Sequence, residues 1–181
     1  MGFKSIPPTV FSNWFEFPAD LWRWPNFTPK EMACKGDGSL LIHGPSMDAL
    51  QRLRKRLDAP LIIHSAYRDR EYNARVGGAA GSMHLAARAF DVAMKGHDPH
   101  EFEAMARGLG FAGFGFYPEK NFMHIDTGPS RWWGTRFPFG EDEAPAQVVQ
   151  ADPDRGTIAE FMDKFTPAKI SHPTKRKRAL A

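Results

Sequence analysis

An α+β fold, with a small antiparallel sheet and helices packed on one side of it, is what the apolar pattern of this 181-residue chain predicts. Three observations carry that expectation. Two stretches have helical spacing: Met47, Leu50, Leu53 and Leu57, then Phe102, Met105, Ala106 and Leu109. Short runs of strand character lie between and after them, at 60–65, 88–94, 111–117 and 122–126. The last two runs are separated only by Pro118-Glu119-Lys120-Asn121, a turn sequence that makes them a hairpin and therefore an antiparallel pair.

Taken in order, residues 3–27 are crowded with aromatics: Phe3, Phe11, Trp14, Phe15, Phe17, Trp22, Trp24 and Phe27. Prolines interrupt them, so no long helix is expected. Two readings stay open for this stretch. It is an extended arm that packs its rings on the core, or a surface that docks a partner or stacks on sugars. Ser46 is the expected cap of the first helix, which runs to about Leu57. PLIIHS, 60–65, suits a buried strand. Asp69 caps a short helix that stops at Gly77-Gly78, and a glycine- and alanine-rich loop follows to about Gly81.

In RAFDVAM, 88–94, Phe90, Val92 and Met94 share one face, and Ala89, Asp91 and Ala93 the other. Asp98 caps the second long helix, with Pro99 at its first position and Gly110 ending it. Beyond Gly140, Glu141-Asp142-Glu143 and prolines read as linker. Ile158, Phe161, Met162 and Phe165 then recur at helical spacing. The expected organisation is an aromatic-rich N-terminal arm over 1–26, a catalytic domain over 27–140, and a linker, short amphipathic helix and basic tail over 141–181.

Composition narrows the function classes. The formal net charge is +3, too mild to argue for nucleic acid, and much of the excess sits in Lys175, Arg176, Lys177 and Arg178. Cys34 stands alone, so no internal disulfide is available, and a structural thiol is expected. The first residues lack the apolar core of a secretory signal, and no stretch is long enough to span a membrane. The expectation is synthesis in the cytoplasm without a signal peptide, with delivery by other means if the substrate lies outside.

The chemistry is carried by a few polar residues in apolar surroundings. Asp91 interrupts a run that should be buried, and a buried carboxylate is costly unless paired or coordinated. His84 stands seven residues earlier, at the end of the loop. In the hairpin, His124 and Asp126 alternate and so share a face, between apolar Phe122, Met123 and Ile125. A lone buried histidine is usually a satisfied core residue, and His43, His64, His97, His100 and His172 are read as structural or exposed. Two histidines and an aspartate in order, each in strand context, instead suggest a catalytic zinc set: three protein ligands with one position open.

The motifs themselves resemble a known family. Ser82-Met83-His84 followed by Ala89-Phe90-Asp91 gives S-x-H-x-x-x-x-A-x-D, and Phe122-Met123-His124-Ile125-Asp126 gives F-x-H-x-D. Ser65-Ala66-Tyr67-Arg68 and Asn73-Ala74-Arg75-Val76-Gly77-Gly78 precede them, and 27–32 is similar to the opening of the same domain. Over roughly 27–135 the chain resembles the zinc D-Ala-D-Ala carboxypeptidase family of peptidoglycan peptidases, in the branch of phage endolysins and virion-associated wall peptidases. The resemblance implies the zinc D,D-peptidase (hedgehog-like) fold, with His84, Asp91 and His124 as zinc ligands. It implies Arg68 as the clamp on a substrate carboxylate, since a guanidinium fork matches a carboxylate bidentately. It also implies Ser82 beside the metal. Tyr67 and Trp132 are further candidates for contact with substrate. Trp132 and its neighbour Trp133 either wall the cleft or belong to the core.

Two positions depart from the family pattern. Asn121 stands where many relatives carry an acidic general base, three residues before the last zinc histidine. Asp126 is the expected replacement as base, its alternative being a partner that orients His124, and Glu119 is a weaker candidate. Ala87 stands where glycine is common.

The expected activity is zinc-dependent hydrolysis of amide bonds in peptidoglycan stem peptides or cross-links, of D,D-carboxypeptidase or endopeptidase type. The expected setting is the bacterial cell wall, in a phage endolysin or virion component. Other virion proteins, met through the N-terminal arm or the basic tail, are the further expected partners. Two rivals accompany this reading: a virion docking module with weak or lost catalysis, and a module that only binds the wall.

Overall fold

The computed structural model describes residues 9–139, which lie in a unit spanning Met1–Gly140. The amphipathic helix and basic tail expected over 141–181 lie outside the described residues. The described residues form a five-stranded sheet with helices, the α+β class expected. Helices α1 (Pro29–Met32), α2 (Gly44–Leu57), α3 (Arg70–Arg75) and α4 (Pro99–Gly108) alternate with strands β1 (Ile63–Ser65), β2 (Ala89–Ala93), β3 (Gly113–Tyr117), β4 (Phe122–Asp126) and β5 (Arg131–Gly134).

The sheet order is β1-β2-β4-β3-β5. Each pair is antiparallel except β3 with β5, which run parallel. That exception is a refinement of the antiparallel sheet expected. β5 was not foreseen, because Arg131–Gly134 is short and is preceded by the turn-forming Gly128-Pro129-Ser130. The chain leaves β4 at Asp126, steps over Gly113, and lays β5 on the far side of β3, with Gly113 opposite Arg131.

Strand alternation separates the two faces of the sheet. Phe90, Val92, Phe114, Phe116, Met123 and Ile125 point into one core with Met47, Leu50 and Leu53 of α2 and Phe102 and Ala106 of α4. A fully buried side chain of this kind contributes roughly 1.5–3 kcal/mol. The opposite face carries Asp91, His124, Asp126, Gly113, Gly115 and Tyr117, and there the functional residues gather.

Helix ends are fixed by local chemistry. Thr28 and Glu31 form a reciprocal capping box at α1. Asp69 accepts from the Tyr72 amide and starts α3, as expected. Asp98 accepts from the amides of His100 and Glu101 and starts α4. The expected cap of α2 is corrected. His43, not Ser46, fills that place, its Nδ1 accepting from the Ser46 amide, while the Ser46 hydroxyl lies 2.7 Å from Thr127 Oγ1. Gly44 and Pro45 start the helix earlier than the apolar pattern shows.

Between the two readings of the aromatic stretch, the described part, from residue 9, packs most of its rings inward, while Phe15 is exposed. Phe17, Trp24 and Phe27 are buried in the same core as α2. Phe11, Phe17, Trp22 and Trp24 meet edge to face in succession. Asp48 of α2 ties the stretch down by accepting from Arg23 and from the Trp24 indole at 2.8 Å.

Candidate metal centre

Register assembles the site. Ser65, Asp91, His124, Gly115 and Trp133 form one row across all five strands: Ser65 opposes Asp91, Asp91 opposes His124, His124 opposes Gly115, and Gly115 opposes Trp133. Glycine at 115 lets the Trp133 ring lie flat on the sheet, since a Cβ there would come within 2.7 Å of that ring. His84 arrives from outside the sheet, on the 3-10 turn Met83–Ala86. The Ser82 hydroxyl caps that turn by accepting from the His84 amide. Ala87 ends it at φ 53°, a left-handed conformation in which glycine is at ease, so the departure at 87 is a backbone matter.

The three expected ligands meet. Asp91 Oδ1 lies 2.9 Å from His124 Nδ1 and 3.2 Å from His84 Nε2, and the two nitrogens are 3.2 Å apart. All three residues are buried. The edge of a tetrahedron with zinc–nitrogen bonds of about 2.0–2.1 Å is about 3.3 Å, so these spacings suit one small cation.

The outer partners decide which atoms are lone pairs. His84 Nδ1 is bonded to the Ala66 carbonyl, which can only accept, so the proton sits there and Nε2 is bare. His124 Nε2 lies 3.1 Å from the Asp126 carboxylate, so that nitrogen donates and Nδ1 faces Asp91 Oδ1. Asp91 Oδ2 is taken by Arg68, leaving Oδ1 toward the two imidazoles. Three candidate ligand atoms thus converge. A divalent cation satisfies all three, and the donor set of two imidazoles and a carboxylate fits zinc.

The charges are tuned to match. Burial pushes the His84 pKa down, against the pull of Asp91, and keeps the ring neutral. Burial also opposes charge on His124, but Asp126 and Asp91 on its two nitrogens outweigh burial and raise its pKa. Asp91 would be raised by burial, yet the flanking imidazoles of His124 and His84 hold it far below the ordinary carboxylate range.

Asp126 is placed differently from the proton acceptor expected. Its carboxylate touches the nitrogen of His124 that faces away from the three converging atoms. It is wholly buried and also accepts from the Gly128 amide and, through both oxygens, from Arg131. Burial would raise its pKa, but His124, Arg131 and Gly128 lower it. A carboxylate so saturated is a poor base, and its position is that of the orienting partner. Asn121 occupies a left-handed position at φ 50°, to which asparagine is suited, and is exposed. Its backbone carbonyl accepts from the Met94 amide.

The converging atoms open into a cleft of about 540 Å³ whose lining includes Arg68, Ser82, Tyr117, Lys120, Phe122, Arg131 and Trp133. Two expected contacts are corrected. Trp132 points to the other face, because strand alternation turns it toward Phe116 and Arg136, and Trp133 walls the cleft in its place. Tyr67 is buried beside Cys34 and Ala87, outside the cleft lining. Arg68 does line the cleft, but its guanidinium is engaged by Asp91 and by Ser65 Oγ at 2.8 Å. Sequence reasoning missed Tyr117, Lys120 and Arg131, quoted Ser65 without giving it a role, and left Trp133 open between cleft wall and core. Gly113 and Gly115, alternating within a strand, were the available signal that something approaches the backbone closely.

A family model described as peptidase M15 matches residues 25–126. The chain belongs to the peptidase M15 family. The matched segment holds Ser65, Asp91, Gly115 and His124 of the row described above. Curated relatives include the peptidoglycan L,D-endopeptidase MepK of Escherichia coli (strain K12), 37% identical over 93 residues, covering 48% of this chain and 51% of that protein. The MepK of Shigella flexneri matches with the same figures. A probable peptidoglycan L,D-endopeptidase MepK of Haemophilus influenzae is 39% identical over 57 residues, 32% of this chain and 31% of that protein. The chain spans about half the length of the MepK proteins of Escherichia coli and Shigella flexneri. Among the described residues no helix is long and apolar enough to cross a membrane.

Proposed function

We propose that this M15 domain hydrolyses an amide bond in the peptide part of bacterial peptidoglycan, as an endopeptidase, with zinc held by His84, Asp91 and His124. The observation that carries the reading is the convergence of two imidazole nitrogens and a carboxylate oxygen at an open cleft. The wall-peptidase names of the relatives support the substrate class, and their endopeptidase names favour cutting within a chain over trimming its end. Those relatives are bacterial proteins, and the phage association gains no support from them.

Zinc held by His84, Asp91 and His124 would polarise a scissile carbonyl and lower the pKa of a bound water, which would lessen the need for a separate base. The chain's own residues do the positioning. Arg68 and Ser65 hold Asp91, the Ala66 carbonyl holds His84, and Asp126 with Arg131 holds His124. Ser82 fixes the turn that carries His84. Among the described residues lining the cleft Asp91 is the only carboxylate, so Asp126 acts as a positioning residue behind His124.

The test is digestion of purified peptidoglycan, with release of new amino groups and the masses of the products as readouts. Wild-type protein should release internal fragments and carry about one zinc per chain. His84→Ala should do neither. Saturable binding to the wall with no new amino groups would favour the binding-only module instead.

A further inference from the structure

The cations of the cleft are not equivalent. Arg68, Lys120 and Arg131 line it, against the single carboxylate of Asp91. Arg68 is committed to Asp91 and Ser65. Arg131 is committed to both oxygens of Asp126 and to the Pro129 carbonyl. Lys120 has no acidic partner among the described residues, so its ammonium is the cation left for a ligand.

Beside it lies a second unspent donor. The Tyr117 hydroxyl accepts from the Trp133 indole at 2.8 Å, and its own proton has no acceptor among the described residues. Because the indole donates only, it fixes a lone pair of the hydroxyl and leaves the O–H to point elsewhere. Tyr117 and Lys120 are three residues apart in the tight turn that joins β3 to β4, and both line the cleft. Tyr117 is the last residue of β3 and Lys120 the last of the 3-10 turn Pro118–Lys120, so one short connection carries both to the cleft. Tyr117 is also held by stacking on Phe122, with ring centroids 4.4 Å apart.

The pair stands close to the metal centre. The Trp133 ring that holds Tyr117 is centred 5.0 Å from the His124 ring, so one indole separates the hydroxyl from a zinc-binding imidazole. A cation and a hydroxyl donor carried by one short connection match the two acceptor oxygens of a carboxylate.

The geometry points to a carboxylate-binding subsite formed by Lys120 and the Tyr117 hydroxyl, which selects peptides bearing a free carboxylate close to the bond that is cut. This rests on the peptidase reading above and specifies the substrate of the same site. It also moves carboxylate recognition away from Arg68, whose guanidinium is already in use. The apolar faces of Phe122 and Trp133 are left for the aliphatic part of such a residue.

The experiment compares zinc-loaded full-length protein on purified peptidoglycan before and after its free carboxylates are coupled to methylamine by carbodiimide. Coupling should lower wild-type kcat/KM about tenfold, the scale of one lost charge-assisted hydrogen bond. Lys120→Met should show a similar loss on untreated wall, through KM, and should prefer neither wall by more than about twofold. Lys120→Arg should restore most of the preference, and Tyr117→Phe should reduce it. Because Lys120 is exposed, its variants should keep wild-type zinc content and Tm, and Lys120→Gln serves as a second truncation. A Lys120→Met protein that keeps the wild-type preference overturns the subsite. So does a wild type indifferent to coupling. A wild type silent on both walls overturns the peptidase reading, and the subsite with it.

Discussion

Asp91 and His124 face each other directly across the β2–β4 ladder, and Asp91 Oδ1 lies 2.9 Å from His124 Nδ1. Opposed residues of antiparallel strands hold their Cβ atoms about 4.5–5.5 Å apart, so sheet register alone fixes two of the three converging groups. A slip of one residue would turn His124 into the core and Met123 or Ile125 into the cleft. Apolar packing of the buried face therefore sets the geometry of the polar one.

Asp126 separates a positioning role from a base role by what its loss does to metal affinity. Asp126→Asn should weaken zinc binding about 10–100-fold, because the partner that fixes the His124 tautomer is lost. At saturating zinc much of kcat should remain. The check is a competitive zinc titration alongside wall digestion. Unchanged zinc affinity with kcat down about 10²–10⁴-fold would make Asp126 the general base instead.

Glycine at 113 is required by the carboxylate above it. A Cβ there would lie 2.1 Å from Asp126 Oδ2. Gly113→Ala should cost about 2 kcal/mol, the usual scale of overpacking, and weaken zinc binding as well. At Gly108, the last residue of α4, a Cβ meets nothing within 4 Å. Gly108→Ala should stabilise by about 0.5–1 kcal/mol. Denaturant unfolding of both variants checks the pair, and equal effects would contradict the packing account.

Asp48 gives the stability a pH dependence of definite sign. Burial works to raise its pKa, but the Arg23 and Trp24 hydrogen bonds lower it below the ordinary carboxylate value. A depressed folded-state pKa contributes stability that is present above the unfolded value of about 3.9 and is lost as pH falls through the folded value. Asp48→Asn should cost about 1 kcal/mol at neutral pH, discounted because the pair is partly exposed. The gap in Tm between variant and wild type should close as pH falls below about 4. A gap that stays constant down to the acid limit would sink this assignment.

The aromatic stretch is part of the core rather than an appendage. Trp24 is 1% exposed, and its indole is bonded to Asp48 of α2. Trp24→Ala should therefore cost about 3–5 kcal/mol. Removal of residues 1–26 should leave a chain that unfolds at markedly lower temperature, as thermal scans of the full and shortened chains would show. Equal Tm values would make those residues the separable arm that the sequence suggests.

The three ligand positions were legible because each sits in a local pattern. Asp91 breaks an apolar strand, His124 and Asp126 alternate in another, and His84 follows a glycine-rich loop. The same alternation was available in Arg131-Trp132-Trp133, but without a recognised strand there was no face to assign, and Trp132 was favoured over Trp133. The role of Asp126 was open for a different reason. A shared face with His124 does not say which imidazole nitrogen the carboxylate meets.

The sequence by itself determined the α+β class, the order of elements from α2 to β4, and the residues that gather at the candidate metal centre, because periodicity and spacing are local properties. Tertiary structure alone decided that β5 folds back parallel to β3, that Arg68 is spent on Asp91, and that Lys120 and Tyr117 keep donors free. Those outcomes depend on which groups have already found partners. Hydrogen bonding and ion pairing are settled between residues far apart in the chain, so no local pattern encodes them.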